Sequence, residues 1–347
     1  MRKIGKDTKS AWQMTKAEVW IFPKHYKHIP MNSVYTCFFA LFFFLLAGSQ
    51  LNAQTTGLRI PYFTDYHLNP IYYNPAFAGE EGQAKMGVSG RNIKNSVTEP
   101  ISFQGFIQGQ VEAIESGLGL MVNYHSFGDE YKRRQLKIGL LYSYTIQAGD
   151  KGRFKLGLNS SLLHYNSNFV PSGSGSVDVI KSNESFFKFN MDGSVLFLSG
   201  DFYMGITMFH VNEPIFEFYN VGSSNRFQKE TYISLGQAIR LNENISLHPA
   251  AMINFTLNQF STSFNNQGYI DVSVLARFHD RYMAGVSYKM NQTPYNFAVM
   301  AGVKLAEKYQ IAATFHLKES SNFTNRSRVG LTLNYFLPQM EEEGTTY

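Results

Sequence analysis

Beyond residue 82 the chain alternates. Apolar and polar positions trade places at every second residue, the period of a strand with two unlike faces. Leu136, Ile138, Leu140, Tyr142, Tyr144 and Ile146 share one parity, and Lys137, Gly139, Leu141, Ser143 and Thr145 the other. Phe154, Leu156, Leu158, Ser160 and Leu162 oppose Lys155, Gly157, Asn159, Ser161 and Leu163. Phe187, Phe189, Met191, Gly193, Val195 and Phe197 oppose Lys188, Asn190, Asp192 and Ser194. No window of helical length past the first fifty residues keeps a 3.6-residue period. The pattern predicts about fourteen strands, near 83–92, 101–114, 117–126, 133–147, 153–165, 186–198, 201–211, 229–241, 244–257, 268–278, 281–290, 295–305, 308–317 and 326–337. Soluble strands usually run ~5–6 residues, whereas a strand tilted across a bilayer needs ~9–11. Length therefore favours an all-β, antiparallel transmembrane barrel over a soluble sandwich.

The connections point the same way. From the second strand onward, alternate links are tight: Glu115-Ser116, Ala148 to Gly152, Ser199-Gly200, Asn242-Glu243, His279-Asp280 and Ala306-Glu307. The intervening links, at 93–100, 127–132, 166–185, 212–228, 258–267 and 318–325, are longer, and only Asn291 to Pro294 is short. Short periplasmic turns alternating with longer outer loops are the habit of outer-membrane barrels, and an even strand number puts both termini on the periplasmic side. Lys137, Asn159, Asn190 and Asp192 should face the lumen, and Ile138, Leu158 and Met191 the lipid. An Arg at Asn159 is then expected to be tolerated far better than one at Leu158. Tyr124, Tyr282, Tyr295 and Tyr309, near strand ends, are candidates for interfacial aromatic girdles.

One apolar run stands outside this pattern. Cys37 to Gly48, CFFALFFFLLAG, is too short for a membrane-spanning helix but fits the apolar stretch of a secretory signal peptide. Lys24 and Lys27 precede it, and Ala53 supplies a small residue for cleavage before Gln54. The chain then divides into a leader at 1–53, a turn-rich segment at 54–82, a barrel at 83–337 and an acidic tail at 338–347. The charge picture changes with the leader. Of 31 Lys+Arg and 26 Asp+Glu in 347 residues, seven cations and two anions lie in 1–53, leaving 24 of each. The sequence pI of 9.0 thus belongs to the leader and gives no ground for a nucleic-acid partner. The only Cys is Cys37, so no disulfide scaffold is available. At 16% charged and 15% aromatic residues the chain does not have the composition of a disordered protein, and a mean hydropathy of −0.21 argues against a helical membrane bundle.

Residues 54–82, QTTGLRIPYFTDYHLNPIYYNPAFAGEEG, do not alternate. Asn69-Pro70 and Asn74-Pro75 favour turns, because the residue before Pro avoids the helical region. Tyr62, Phe63, Tyr66, Tyr72, Tyr73 and Phe77 crowd around them. A piece this aromatic is expected either to fill the barrel as a plug or to dock on a periplasmic partner. Pro61, Phe63, Thr64, Tyr66, Asn69 and then Asn74-Pro75-Ala76-Phe77-Ala78-Gly79 resemble the opening motif of the PorP/SprF family of Bacteroidota outer-membrane proteins, and Arg91, Pro100, Ser102 and Gly117-Leu118-Gly119-Leu120 fit its usual progression. The chain departs from that motif at Asp65 and at His67-Leu68. The resemblance implies a part in the type IX secretion system or gliding motility. It implies as partners a secreted or cell-surface protein and periplasmic components of the machinery, beside the lipid of the outer membrane.

Catalytic chemistry finds no footing in the sequence. His125, His164, His210, His248, His279 and His316 are scattered singly, and no His-x-x-x-His, Cys-x-x-Cys or Gly-x-Ser-x-Gly occurs. No catalytic residue, metal or cofactor is assigned. Asp129, Glu130, Lys132, Arg133 and Arg134 read as a solvated loop cluster. Two kinds of function remain: a barrel that assists or anchors an exported partner, and a passive or gated channel for small solutes. Site candidates are Pro61, Tyr62, Phe63, Tyr66, Asn69, Asn74, Pro75, Ala76, Phe77 and Gly79, as plug or partner contact, and Ile215, Phe216, Phe218 and Tyr219 in an outer loop. N-terminal sequencing of the envelope protein should give Gln54 as the first residue. A mature form retaining 31–53 in the inner membrane would contradict the leader.

Overall fold

The computed structural model describes residues 66–80, 82–93, 101–126, 133–149, 151–168, 183–216, 225–227, 229–256, 268–290, 297–317 and 328–337. The leader, Pro61, Tyr62, Phe63, Phe218, Tyr219, Tyr295 and the acidic tail lie outside the described residues.

Fourteen strands form one antiparallel ring. They are β1 Lys85–Ile93, β2 Ile101–Val111, β3 Ser116–Ser126, β4 Arg134–Ala148, β5 Gly152–Asn168, β6 Asn183–Ser199 and β7 Phe202–Phe209. They continue as β8 Glu230–Gln237, β9 Ile245–Thr256, β10 Tyr269–Phe278, β11 Tyr282–Met290, β12 Phe297–Leu305, β13 Tyr309–Leu317 and β14 Arg328–Phe336. Each pairs with its neighbours in sequence, and the ring closes where β1 meets β14, from Lys85 opposite Phe336 to Ile93 opposite Arg328. β8 bridges β7 and β9, and Ile239–Arg240 prolongs its pairing with β9. A backbone group exposed to hydrocarbon has no water to bond, so a strand protein in lipid must close in this way.

The two parities of each strand become the two faces of the wall. Ile138, Leu140, Leu156, Leu158, Leu162, Val286, Phe315 and Leu331 are exposed on the outside. Lys137, Asn159, Asn190 and Asp192 are buried on the inside. Tyr282 and Tyr309 are exposed at the tight-turn end, and the Arg281 guanidinium lies 5.5 Å from the Tyr282 ring centre. Two of the tight turns use left-handed residues without glycine, His279 and Asp280 (φ 53° and 52°) and Ala306 and Glu307 (φ 50° and 56°), whereas two others place Gly149 (φ 71°) and Gly200 (φ 57°) there. Positive φ at adjacent turn residues matches the right-handed twist of the flanking strands.

Several boundaries differ from the pattern. β2 stops at Val111, where Glu112–Ile114 winds into a short 3-10 turn ending at left-handed Glu115. β7 stops at Phe209 because His210 takes φ 55° and leads the chain out of the wall. β5 and β6 each run to 17 residues, beyond the alternating stretch that predicted them.

The interior is also less polar than the alternation implies. Phe106, Met121, Leu141, Leu196, Leu198, Phe209, Tyr232 and Met252 face inward and are buried in one cluster with Tyr66, Ile71, Tyr72, Tyr73 and Phe77. The expectation for Asn159 is overturned with it. Asn159 Nδ2 donates to Asp192 Oδ2 at 2.8 Å, and Lys137 pairs with that same carboxylate. An Arg there has no room and adds a second cation beside Lys137, so the site is not tolerant.

The lipid-facing register has a depth-dependent test. Leu158→Arg and Leu331→Arg should each cost ~2–4 kcal/mol in reversible folding into bilayers, and Tyr282→Arg, at the rim, ~0–1 kcal/mol. Equal penalties at the three positions would contradict the assigned depth of the wall.

Candidate functional site

The residues between Tyr66 and Glu80 enter the ring and touch its inner face nearly all round. Two Asn-Pro steps set the path. Before each proline the backbone is extended or nearly so, Asn69 at φ −138°, ψ 66° and Asn74 at φ −146°, ψ 104°. Each proline then opens a single 3-10 turn, Pro70–Tyr72 and Pro75–Phe77. Proline suits this first position because its φ is already set and its missing N–H would have no partner there. The Asn74 side chain caps the second turn, accepting the Ala76 N–H at 2.9 Å. Glu80 N–H donates to Phe77 O at 3.0 Å and closes the path.

At the β10 side, the Tyr66 hydroxyl bonds Ser273 and lies 3.4 Å from Asp271 Oδ1. His67 Nε2 sits 2.7 Å from Ser273 Oγ, and the two rings stack at 4.7 Å. Burial first, then the Arg277 charge, lowers His67 to about 3, so the imidazole is neutral. Burial, with the Asp271 charge second, raises Tyr66 well above the usual phenol value. Leu68 joins Leu275, Met283, Met300 and Ala312 in a small apolar cluster. Its carbonyl accepts from the buried Lys85 ammonium at 2.9 Å.

Across the lumen, Asn69 Nδ2 donates to Ser89 Oγ at 3.4 Å on β1, and the Tyr72 hydroxyl to Gln104 O at 3.0 Å on β2. Tyr73 packs on Tyr232 of β8, and Phe77 meets Tyr203 of β7 edge-on at 5.5 Å. Ala76 N–H also donates to Ser194 Oγ at 3.1 Å. Ala78 O accepts from Ser143 Oγ at 2.7 Å and from Lys155 Nζ at 3.0 Å. Gly79 N–H donates to Gln108 Oε1 at 3.1 Å. Glu80 then pairs with Lys155 at 3.1 Å and with Arg153. Breaking a buried pair by removing one partner costs about 3–5 kcal/mol, since the other charge stays behind uncompensated. Gaps beside the segment are of water size, about 40 Å³ next to His67, Tyr203, His248 and Arg277 and about 10 Å³ next to Lys85, Phe106 and Gln108.

Glycines let the backbones approach. A Cβ on Gly117 of β3 would overlap Ala78 O, and one on Gly157 of β5 would overlap Ala76 N. Gly79 itself has φ +69°, and a Cβ on it would lie 2.8 Å from Gly117 Cα.

Of the residues singled out in the sequence, Tyr66, Asn69, Asn74, Pro75, Ala76, Phe77 and Gly79 are thus brought together inside the ring. Tyr66, Asn69, Asn74, Ala76 and Phe77 are at most 4% exposed. In this state they present no surface to a partner outside the barrel. The outer-loop candidates part company. Ile215 is exposed, in a two-residue ribbon pairing Ile215–Phe216 with Asn225–Arg226. Phe227, not singled out in the sequence, is fully buried against Leu163 and Tyr165. Glu80, Arg153, Lys155, Lys85, Gly117 and Gly157 were also not recognised. The legible clue was an isolated Lys on the polar parity of β5 and an acid directly after the Ala78-Gly79 step.

The close approach can be tested by cysteine accessibility, because the chain beyond Cys37 has no native thiol. In an Ala78→Cys protein a water-soluble maleimide should label slowly. Adding Gly157→Val should raise labelling at least tenfold, and adding Gly193→Val, where a Cβ meets nothing within 4 Å, should not. Fast labelling without either valine would refute the enclosure.

Comparison with known proteins adds the family. Among solved structures, the CymD monoaromatic hydrocarbon channel is 11% identical, with 83% of this chain and 97% of that chain covered and a TM-score of 0.50. The Pseudomonas putida toluene transporter TodX is 13% identical over 83% and 99%, at a TM-score of 0.47. The Ralstonia pickettii toluene transporter TbuX is 11% identical over 84% and 99%, at 0.48. At 11% identity the likeness to CymD is one of fold alone. No curated protein matches the sequence significantly. The family model described as Type IX secretion system membrane protein PorP/SprF matches residues 55–335, from ahead of the enclosed segment into β14; the chain therefore belongs to the PorP/SprF family of type IX secretion system membrane proteins.

Proposed function

We propose that the protein is an outer-membrane barrel that assists the secretion or surface anchoring of a partner protein, with residues 54–82 acting as a plug that keeps the lumen shut. Family and fold point to the outer membrane. The observation that carries the reading is the path of Tyr66–Glu80. The segment is bonded to β1, β2, β4, β5, β6 and β10, and the gaps described beside it are of water size, which supports a closed lumen. The barrel then serves as a rigid frame. Its loops are offered to an exported partner on one side and its tight turns to periplasmic components of the secretion system on the other. Phe77 is central to the plug, because truncating a buried Phe to Ala typically costs about 3–5 kcal/mol.

The competing reading is a channel for small solutes, which requires the segment to leave the lumen. The full chain in planar bilayers should show no stepwise conductance, and the Glu80→Ala, Phe77→Ala double variant should show it. In cells, loss of the protein should remove at least one exported protein from the surface and leave small-solute uptake unchanged. Open-channel currents from the full chain, with uptake but not secretion lost in the deletion strain, would overturn the proposal in favour of the channel.

A further inference from the structure

β6 outruns its neighbour. It spans Asn183–Ser199, but β7 pairs only with Gly193–Ser199. The first ten residues, about 30 Å of strand, keep β5 on one side and no strand on the other among the described residues. β5 and β6 thus run on together past the end of β7 at the loop end, with one margin unpaired by any strand among the described residues.

The backbone on that margin is oriented for pairing. Val211 N–H donates to Met191 O at 2.9 Å. The Asn212 side chain accepts Met191 N–H at 3.0 Å and donates to Phe189 O at 2.8 Å. Met191 and Phe189 therefore direct main-chain groups away from β5. By the two-residue period of a strand, Phe187 and Ser185 do the same. Residues 211–212 use the margin as a strand would for one step, and then the chain turns off at left-handed Glu213. The side chains bear on it too. Phe187 is 64% exposed and Phe189 56%, Phe187 being the most exposed large apolar residue among the described residues. They stand beside Leu162 and His164 of β5 on the outer face, where the His164 ring stacks on Phe187 at 4.4 Å. The inner face is already covered: Phe186 packs against Leu163, Tyr165 and Phe227.

We infer that the margin of β6 ahead of Met191, from Ser185 to the Phe189 N–H, takes up an extended segment of an exported polypeptide by strand addition, with apolar side chains of that segment seated on Phe187 and Phe189. The occupant follows from the chemistry. A row of main-chain donors and acceptors at strand spacing is satisfied by another strand, and acyl chains cannot bond it. An extended exported chain supplies both the backbone and the alternating side chains. The inference rests on the proposed role in secretion and names where in the barrel the partner is held.

The test uses the full chain in the cells that make it. The photo-crosslinker p-benzoylphenylalanine replaces Phe187, Phe189 or, as control on the far wall, Phe315. Phe187→Pro removes one margin-facing N–H and leaves the β5 ladder intact, and its folding is read from heat-modifiable migration on gels. Crosslinks at 187 and 189, at least tenfold above 315, should reach an exported protein whose surface level falls when the barrel is deleted. Phe187→Pro should abolish the crosslink at 189 and lower that surface level while the barrel still folds. Crosslinks only to a second copy of this chain, or only to lipopolysaccharide, would overturn the inference, as would equal yields at all three sites. If deletion lowers the surface protein and folded Phe187→Pro does not, the margin fails and the secretion role stands. If deletion leaves all exported proteins in place, the secretion role itself fails.

Discussion

Every backbone polar group at membrane depth must find its partner within the protein, and the structure answers this constraint twice. The wall answers it by closing, so that β1 and β14 pair over nine residues and no edge meets lipid there. The interior answers it with the segment Tyr66–Glu80. A ring of this size encloses more space than its own side chains fill. The segment occupies that space, but it brings its own backbone into a place with little water. Its carbonyls and amides are met by Lys85, Ser143, Lys155, Ser194 and Gln108 from the wall. Others are met within its two proline-led turns.

This explains the choice of residues on the inner face. Wherever the segment's backbone comes closest, the wall has lost its side chain, at Gly117 and Gly157. Where the segment ends in an anion, the wall supplies two cations. Where the segment is aromatic, the wall is too: Phe106 under Tyr72, Tyr203 under Phe77 and Tyr232 beside Tyr73. The inner face is therefore a mould of one particular piece of chain.

The wall was legible in the sequence because period two leaves a trace at every position. Ile138, Leu158 and Asn190 declared their faces by parity alone, and the tight links declared which end they belonged to. The strand ends at Val111 and Phe209 were not legible, since they depend on left-handed Glu115 and His210, residue types that carry little turn signal. The enclosed segment was half legible. Asn-Pro steps announce turns, and clustered aromatics announce burial, but nothing in them states what they are buried against. Leu141 and Leu163 sit on the polar parity because Leu141 joins the apolar cluster around the enclosed segment and Leu163 packs against Tyr165 and Phe227. Glu80 and Lys155 lie 75 residues apart, and only closure of the ring makes them neighbours.

The central claim, that residues 66–80 are as much a part of the folded interior as the strands, has a direct measurement. Hydrogen exchange of the full chain in lipid nanodiscs reads the amides of Tyr73, Asn74, Ala76, Phe77, Ala78, Gly79 and Glu80, each of which donates a hydrogen bond inside the barrel. They should exchange on the slow timescale of β4 and β5. Exchange of these amides within seconds, while the strands stay protected, would contradict the account.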